Sequence, residues 1–216
     1  MKRCAGASLA ALIAMCPAIP SPGIAQGFPA TLKDPAALTD KAPDTYRARL
    51  ETSQGVIVIE AHRAWAPNAA DRFYNLVKNG FYDNARFFRV LSGFMAQFGL
   101  NADPEIQRAW TFAGLPDEPT MQSNTRGFVS FARESSPNSR YTMVFINYKD
   151  NSYLDSEGFP PFGQVAVGMD VAEKLYSGYG RTNVPDQRRI ISEGNAYLAA
   201  EYPKLDFITR ARIDPK

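Results

Sequence analysis

The spacing of apolar and polar positions changes several times along this chain, and each change marks an element. Tyr46–Thr52 and Val56–Ala61 are two β-rich runs, and Ser53-Gln54-Gly55 between them has the composition of a tight hairpin turn. Pro67 then opens a helix at its first turn, and Ala70, Phe73, Leu76 and Val77 recur at helical spacing. Gly80 stands where a helix exit needs a left-handed residue. This helix buries one face and shows Asp71, Arg72, Asn75 and Lys78 to water. Short β-like runs follow at Ala85–Val90, Phe94–Phe98, Phe128–Ala132, Met143–Asn147 and Gln164–Val167, separated by long polar connections at 99–126 and 148–161. Connections of that length in a compact domain are usually functional or pinned to the surface. A second helix fits Met169–Tyr176, a third fits Glu193–Tyr202 before Pro203, and Asp206–Ile213 alternates as a closing strand. Many short strands, few helices and no regular βαβ alternation predict a mostly β fold, an antiparallel barrel capped by helices.

The first 25 residues follow a different pattern. Lys2 and Arg3 precede an apolar stretch from Ala5 to Met15, and Gly23-Ile24-Ala25 supplies small residues ahead of a cleavage site. This predicts a secretory signal peptide over 1–25, cut after Ala25, and export to the periplasm. The run is too short, and too soon broken by Pro17, Pro20 and Pro22, to span a bilayer, so no stable membrane insertion is expected after cleavage. A lipid-modified Cys16 is the weaker alternative, because Met15 precedes it where a small side chain is wanted. Residues 26–45, with Pro29, Pro35 and Pro43, read as a loosely ordered N-terminal extension, and 46–216 as one domain.

The leader also changes the charge balance. The whole chain carries 24 Lys and Arg against 22 Asp and Glu; without Lys2 and Arg3 the balance is 22 against 22. A neutral mature chain gives no electrostatic case for nucleic acid or anionic lipid. Both cysteines, Cys4 and Cys16, fall in the leader, so the mature chain forms no disulfide. His62 has no Ser or Cys motif to partner it and reads as a surface or capping residue. Asp150, Asp155 and Glu157 share a loop but lack the ligand rhythm of a calcium site. With no phosphate loop or zinc spacing, the sequence implies neither a metal nor a cofactor.

One stretch stands apart chemically. Phe87 to Gly99 is apolar almost throughout, yet it carries Arg89 and Gln97. Arginine stays charged and is rarely buried unpaired. Either this is a core strand whose arginine snorkels outward, or a hydrophobic groove with one fixed cationic donor.

These runs, taken in order, resemble the cyclophilin family of peptidyl-prolyl isomerases. Thr52–Glu60 is similar to its opening hairpin, and Pro67 to Asp83 to its first helix and exit. Phe88-Arg89-Val90 with Gly93-Phe94-Met95-Ala96-Gln97 is similar to its Phe-His-Arg-Val…Gly-Phe-Met-x-Gln signature. Gly127–Ala132, Val144–Asn147, Leu154-Asp155, Phe162–Val165 and Gly168–Val171 complete the order over roughly 46–180. The resemblance implies an eight-stranded antiparallel closed β-barrel capped by helices, with residues 181–216 as a C-terminal extension containing an extra helix. It implies an isomerase acting as a monomer on X-Pro bonds of proline-containing polypeptides during folding; a non-catalytic proline-peptide binding or chaperone module is the alternative. Arg89 would then be the donor to the prolyl nitrogen, and Gln97 would position Arg89 and the substrate carbonyl. Phe94, Met95, Phe145 and Leu154 would form the proline pocket, with backbone contacts from Ala132 and Arg133. Four positions depart from the family pattern. Phe88 replaces a usual His and is expected to face away from the ligand. Met143 stands where many members have a substrate-touching glutamine, Tyr153 where some have tryptophan, and Phe159 near a rim histidine.

Overall fold

The computed structural model describes Met1 and residues 28–215, so the predicted leader past Met1, with Cys4 and Cys16, lies outside the described residues. Eight strands form one antiparallel sheet: β1 (Thr45–Thr52), β2 (Gly55–His62), β3 (Arg89–Leu91), β4 (Met95–Phe98), β5 (Phe128–Phe131), β6 (Val144–Asn147), β7 (Pro161–Val167) and β8 (Ile208–Ile213). Their spatial order is β3-β4-β6-β5-β7-β2-β1-β8. The two ends of that order meet through a short seam just ahead of β3. Arg86 bridges Phe207, the Phe87 amide donates to the Asp206 carbonyl (2.9 Å) and the Ile208 amide to the Ala85 carbonyl (2.9 Å). The sheet therefore curls into a barrel whose last join is a bridge rather than a full ladder.

Period-two alternation decides which side chains fill the barrel. Val90, Ala96, Ile146 and Val129 sit opposite one another across β3, β4, β6 and β5, and all belong to the principal core. Helix α1 (Pro67–Lys78) adds Ala70, Phe73, Leu76 and Val77 to that core, where Phe73 packs on Phe162 at 4.9 Å between ring centres. A short helix α2 (Pro104–Trp110) lies within the connection expected to be irregular. Asp103 caps it by accepting from the Glu105 amide at 2.8 Å, Pro104 occupies its first turn, and Ile106 and Trp110 are buried.

Two expectations are corrected. Residues 30–45 are docked rather than loose. Leu32 is fully buried, its carbonyl accepts from the Trp110 indole (2.7 Å), and the Ala42 amide donates to Asp71 (2.9 Å). The helix expected over Glu193–Tyr202 is α5 (Asn195–Glu201), and it is preceded, after α3 (Met169–Glu173), by an unexpected helix α4 (Gln187–Glu193), the two separated at Gly194. Gly194 has φ of 61°, and a Cβ there would collide with the Ala102 carbonyl and Pro104, so only glycine makes this corner.

Candidate active site

The outer face of the same strands carries the chemistry. Register sets Arg89 opposite Gln97, Gln97 opposite Phe145, and Phe145 opposite Ser130, a row across four strands. Met95 and Leu91 form the neighbouring pair and join Phe145 and Leu154 in an apolar cluster separate from the barrel core, with Phe94, Ala132 and Phe159 packed against it. A cavity of about 230 Å³ opens over this cluster. Arg89, Phe94, Met95, Gln97, Ala132, Arg133, Met143, Phe145, Leu154 and Phe159 line it. Tyr153 is outside that lining and 55% exposed.

The polar groups within it are sparse. Gln97 is 5% exposed; its Oε1 accepts from Arg89 Nη1 (3.3 Å), and its Nε2 donates weakly to Met143 Sδ (3.8 Å). Arg89 is half-buried with no ion pair among the described residues, and its Cζ lies 6.0 Å from the Phe94 ring centre. Burial and then the nearby Arg181 guanidinium lower its pKa, while Tyr153 opposes them. Arginine titrates so high that it remains a cation at neutral pH.

The backbone along one wall is partly spent. The Ala132 amide donates to the Met143 carbonyl (2.8 Å), so the groups left for a peptide are the Ala132 carbonyl and the Arg133 amide. The Arg133 side chain is committed to the carbonyls of Glu157 (2.9 Å) and Ser136 (3.2 Å) and crosses Gly158, where a Cβ would strike its guanidinium.

A buried polar network that the sequence did not suggest holds the walls in place. The Asn124 amide oxygen accepts from Ser130 (2.8 Å) and Asn147 (3.2 Å), and its nitrogen donates to the Phe159 carbonyl (2.8 Å). Asn151 donates to Asn147 (2.8 Å) and to the Phe94 carbonyl (3.0 Å). Asp155 accepts from Ser123 (2.6 Å) and twice from Asn124, which anchors the turn bearing Leu154. Asp155 is thus engaged in structure, and among the described residues no group of three or more acidic, His or Cys side chains is placed to hold a metal. His62 stacks on Trp65 at 4.0 Å and is not part of the cavity lining.

Two lining residues were missed. Glu134 follows Arg133, and Gln187 comes from α4 in the extension, 28 positions beyond Phe159, the nearest other lining residue in the sequence. Phe88 is 1% exposed and turns away from the cavity into a separate cluster with Leu100, Ile190, Tyr197 and Leu198, against which Met143 also packs.

Comparison with known proteins shows the family and the fold. The family model for cyclophilin type peptidyl-prolyl cis-trans isomerase/CLD matches residues 47–195. A peptidyl-prolyl cis-trans isomerase of Acinetobacter baylyi is 37% identical over 148 residues, 64% of this chain and 78% of that protein. Peptidyl-prolyl cis-trans isomerase B of Escherichia coli is 34% identical over 132 residues, 57% of this chain and 80% of that protein. A cyclophilin type isomerase from Cryptosporidium parvum, solved in the presence of the dipeptide Ala-Pro, superposes with a TM-score of 0.58 at 21% identity, covering 79% of this chain and 99% of its own.

Proposed function

The chain belongs to the cyclophilin-type peptidyl-prolyl cis-trans isomerases, and from that premise we propose that Arg89 is its catalytic donor, acting on proline-containing segments of exported proteins. The observation that carries the assignment is the row Arg89–Gln97–Phe145, which holds one guanidinium over an apolar cavity with a single amide as its partner.

The reaction asks for little else. An X-Pro bond resists rotation by about 18–20 kcal/mol because the nitrogen lone pair is delocalised into the carbonyl. In the twisted amide that lone pair is localised on nitrogen, where a fixed N–H donor stabilises it more than in either planar form. Arg89 supplies the donor. Gln97, held in β4, orients it through the 3.3 Å bond. Phe94, Met95, Phe145 and Leu154 grip the ring and exclude water, which strengthens the donor's effect. The Ala132 carbonyl and Arg133 amide would pair with the extended peptide. An acceleration of roughly five decades requires about 7 kcal/mol of such differential binding. No covalent step is involved.

A proline-peptide isomerisation assay on the mature protein tests this. We expect turnover in the parent and a fall in kcat/KM of roughly 10²–10³ for Arg89→Ala, the range seen when one transition-state donor is removed. Equal turnover in the variant would refute the role of Arg89; a parent that binds proline peptides without turning them over would favour the non-catalytic alternative. Export rests on the leader pattern. Expression in a bacterial host should give a periplasmic product beginning at Gln26, readable by intact mass, and a cytoplasmic product retaining Met1–Ala25 would refute it.

A further inference from the structure

The C-terminal extension reaches the groove with two side chains. Gln187, the first residue of α4, lines the cavity together with Met143 and Glu134. Arg181 lies with its Cζ 5.5 Å from the Phe94 ring centre. The placement is anchored. Ile190 of α4 and Tyr197 and Leu198 of α5 bury themselves against Phe88 and Leu100, and Met143 packs on the same cluster. Arg189 clasps the two helices together, pairing with Glu193 and Glu201 at 2.8 Å each. Two departures from the family pattern, Phe88 and Met143, are thus the residues on which the extension docks.

The unpaired charges around the groove are divided between its walls. Arg133 is spent on carbonyls, Asp155 on Ser123 and Asn124, and Asp186 caps α4 and pairs with Arg188 at 3.5 Å. Asp150 accepts from the Ser152 amide. That leaves, among the cations, Arg89 and Arg181, both within 6.0 Å of the Phe94 ring centre and neither ion-paired among the described residues. Two guanidiniums beside one ring raise the local positive potential and favour an anion next to them. Glu134 lines the cavity on the Ala132–Arg133 wall and makes no ion pair among the described residues.

We propose that Arg181, with Arg89, forms a carboxylate-reading subsite at the Phe94 edge of the proline pocket, so that the enzyme prefers X-Pro bonds with Asp or Glu within two residues of the proline. The inference rests on the isomerase reading of this pocket. Glu134 on the other wall disfavours an acid there, so the preference falls on one side of the proline.

The test compares kcat/KM for peptide pairs that differ only by Glu against Gln, placed before or after the proline. Exposed ion pairs are individually weak, and two guanidiniums beside one ring should give the Glu peptide an advantage of about threefold to tenfold on one side. Arg181→Ala should bring the Glu/Gln ratio close to one, Arg181→Lys should retain most of it, and 0.5 M salt should shrink it in the parent. Because Arg181 is exposed, matching thermal melts will show that the variants are folded. An active parent with equal rates on both peptides, or a preference that survives Arg181→Ala, overturns this proposal alone. A parent inactive on every peptide overturns the isomerase reading of the pocket and this proposal with it.

Discussion

Arg140, behind the first turn of α1, and Arg89, on the outer face of β3, are both drawn out of water. Arg140 is 0% exposed and both its terminal nitrogens are taken: Nη1 meets Glu118 at 2.9 Å and Nη2 the Pro116 carbonyl, while its buried Nε has no partner among the described residues. Glu118 in turn accepts from the Asn68 and Ala69 amides at the start of α1, where its charge also suits the helix dipole. Arg89 has a single amide partner at 3.3 Å and an open cavity beyond it. A guanidinium whose charge is met by a buried carboxylate holds elements together. One whose bonds are left incomplete, on a rigid strand, is available to a ligand. Burial alone does not separate scaffold from site in this molecule; a neutralising carboxylate does.

The comparison breaks most visibly at Arg140. Arg140→Ala leaves Glu118 buried without its cation, and loss of about 3–5 kcal/mol is expected, read as a lower urea midpoint. Replacing both members by apolar residues should cost much less, because no uncompensated charge remains. A single variant as stable as the parent would show that the pair is not structural. Arg89→Ala should behave in the opposite way. Its large effect is on kcat/KM, as argued above, while its stability should stay within about 1 kcal/mol of the parent, since no buried partner but Gln97 is left unsatisfied. If Arg89→Ala melts like Arg140→Ala, the division between the two arginines fails.

What the sequence disclosed follows the same division. Spacing over 87–99 and 143–147 located the strands but left open whether Arg89 snorkels from a core strand or sits in a groove, because both faces are largely apolar. Arg89, Gln97 and Phe145 were singled out only by the family resemblance. Helix α2 carried a readable start in Asp103-Pro104-Glu105, but only one turn and a half of apolar spacing, too little to stand out from a polar connection. Gly194 was visible as a glycine, and the corner that demands it depends on Ala102 and Pro104, distant in sequence. Gln187, Arg181 and the Asn124–Ser130–Asn147–Asn151 network were illegible for one reason. Their roles arise from packing between segments far apart along the chain, such as α4 on Phe88.

Asp155 offers the smallest effect, because it is a partnered group that serves the groove only indirectly. Burial alone would raise its pKa, and hydrogen bonds from Ser123 and Asn124 outweigh that and hold it below the ordinary carboxylate value. A carboxyl whose folded pKa is depressed contributes stability that is complete above its unfolded value, near pH 4, and is lost as pH falls through the lower folded value. The difference in melting temperature between the parent and Asp155→Asn should therefore be constant from pH 7 to about pH 5 and shrink below pH 4. Leu154 sits in the turn this carboxylate anchors, so the variant should also raise KM for a proline peptide more than it lowers kcat. Arg89 has no such titration, and kcat/KM should stay flat from about pH 5 to 9. A melting difference unaffected by acid would mean that the neutral carboxyl anchors the turn as well as the ionised one. The partnered acid would then owe its role to shape rather than charge.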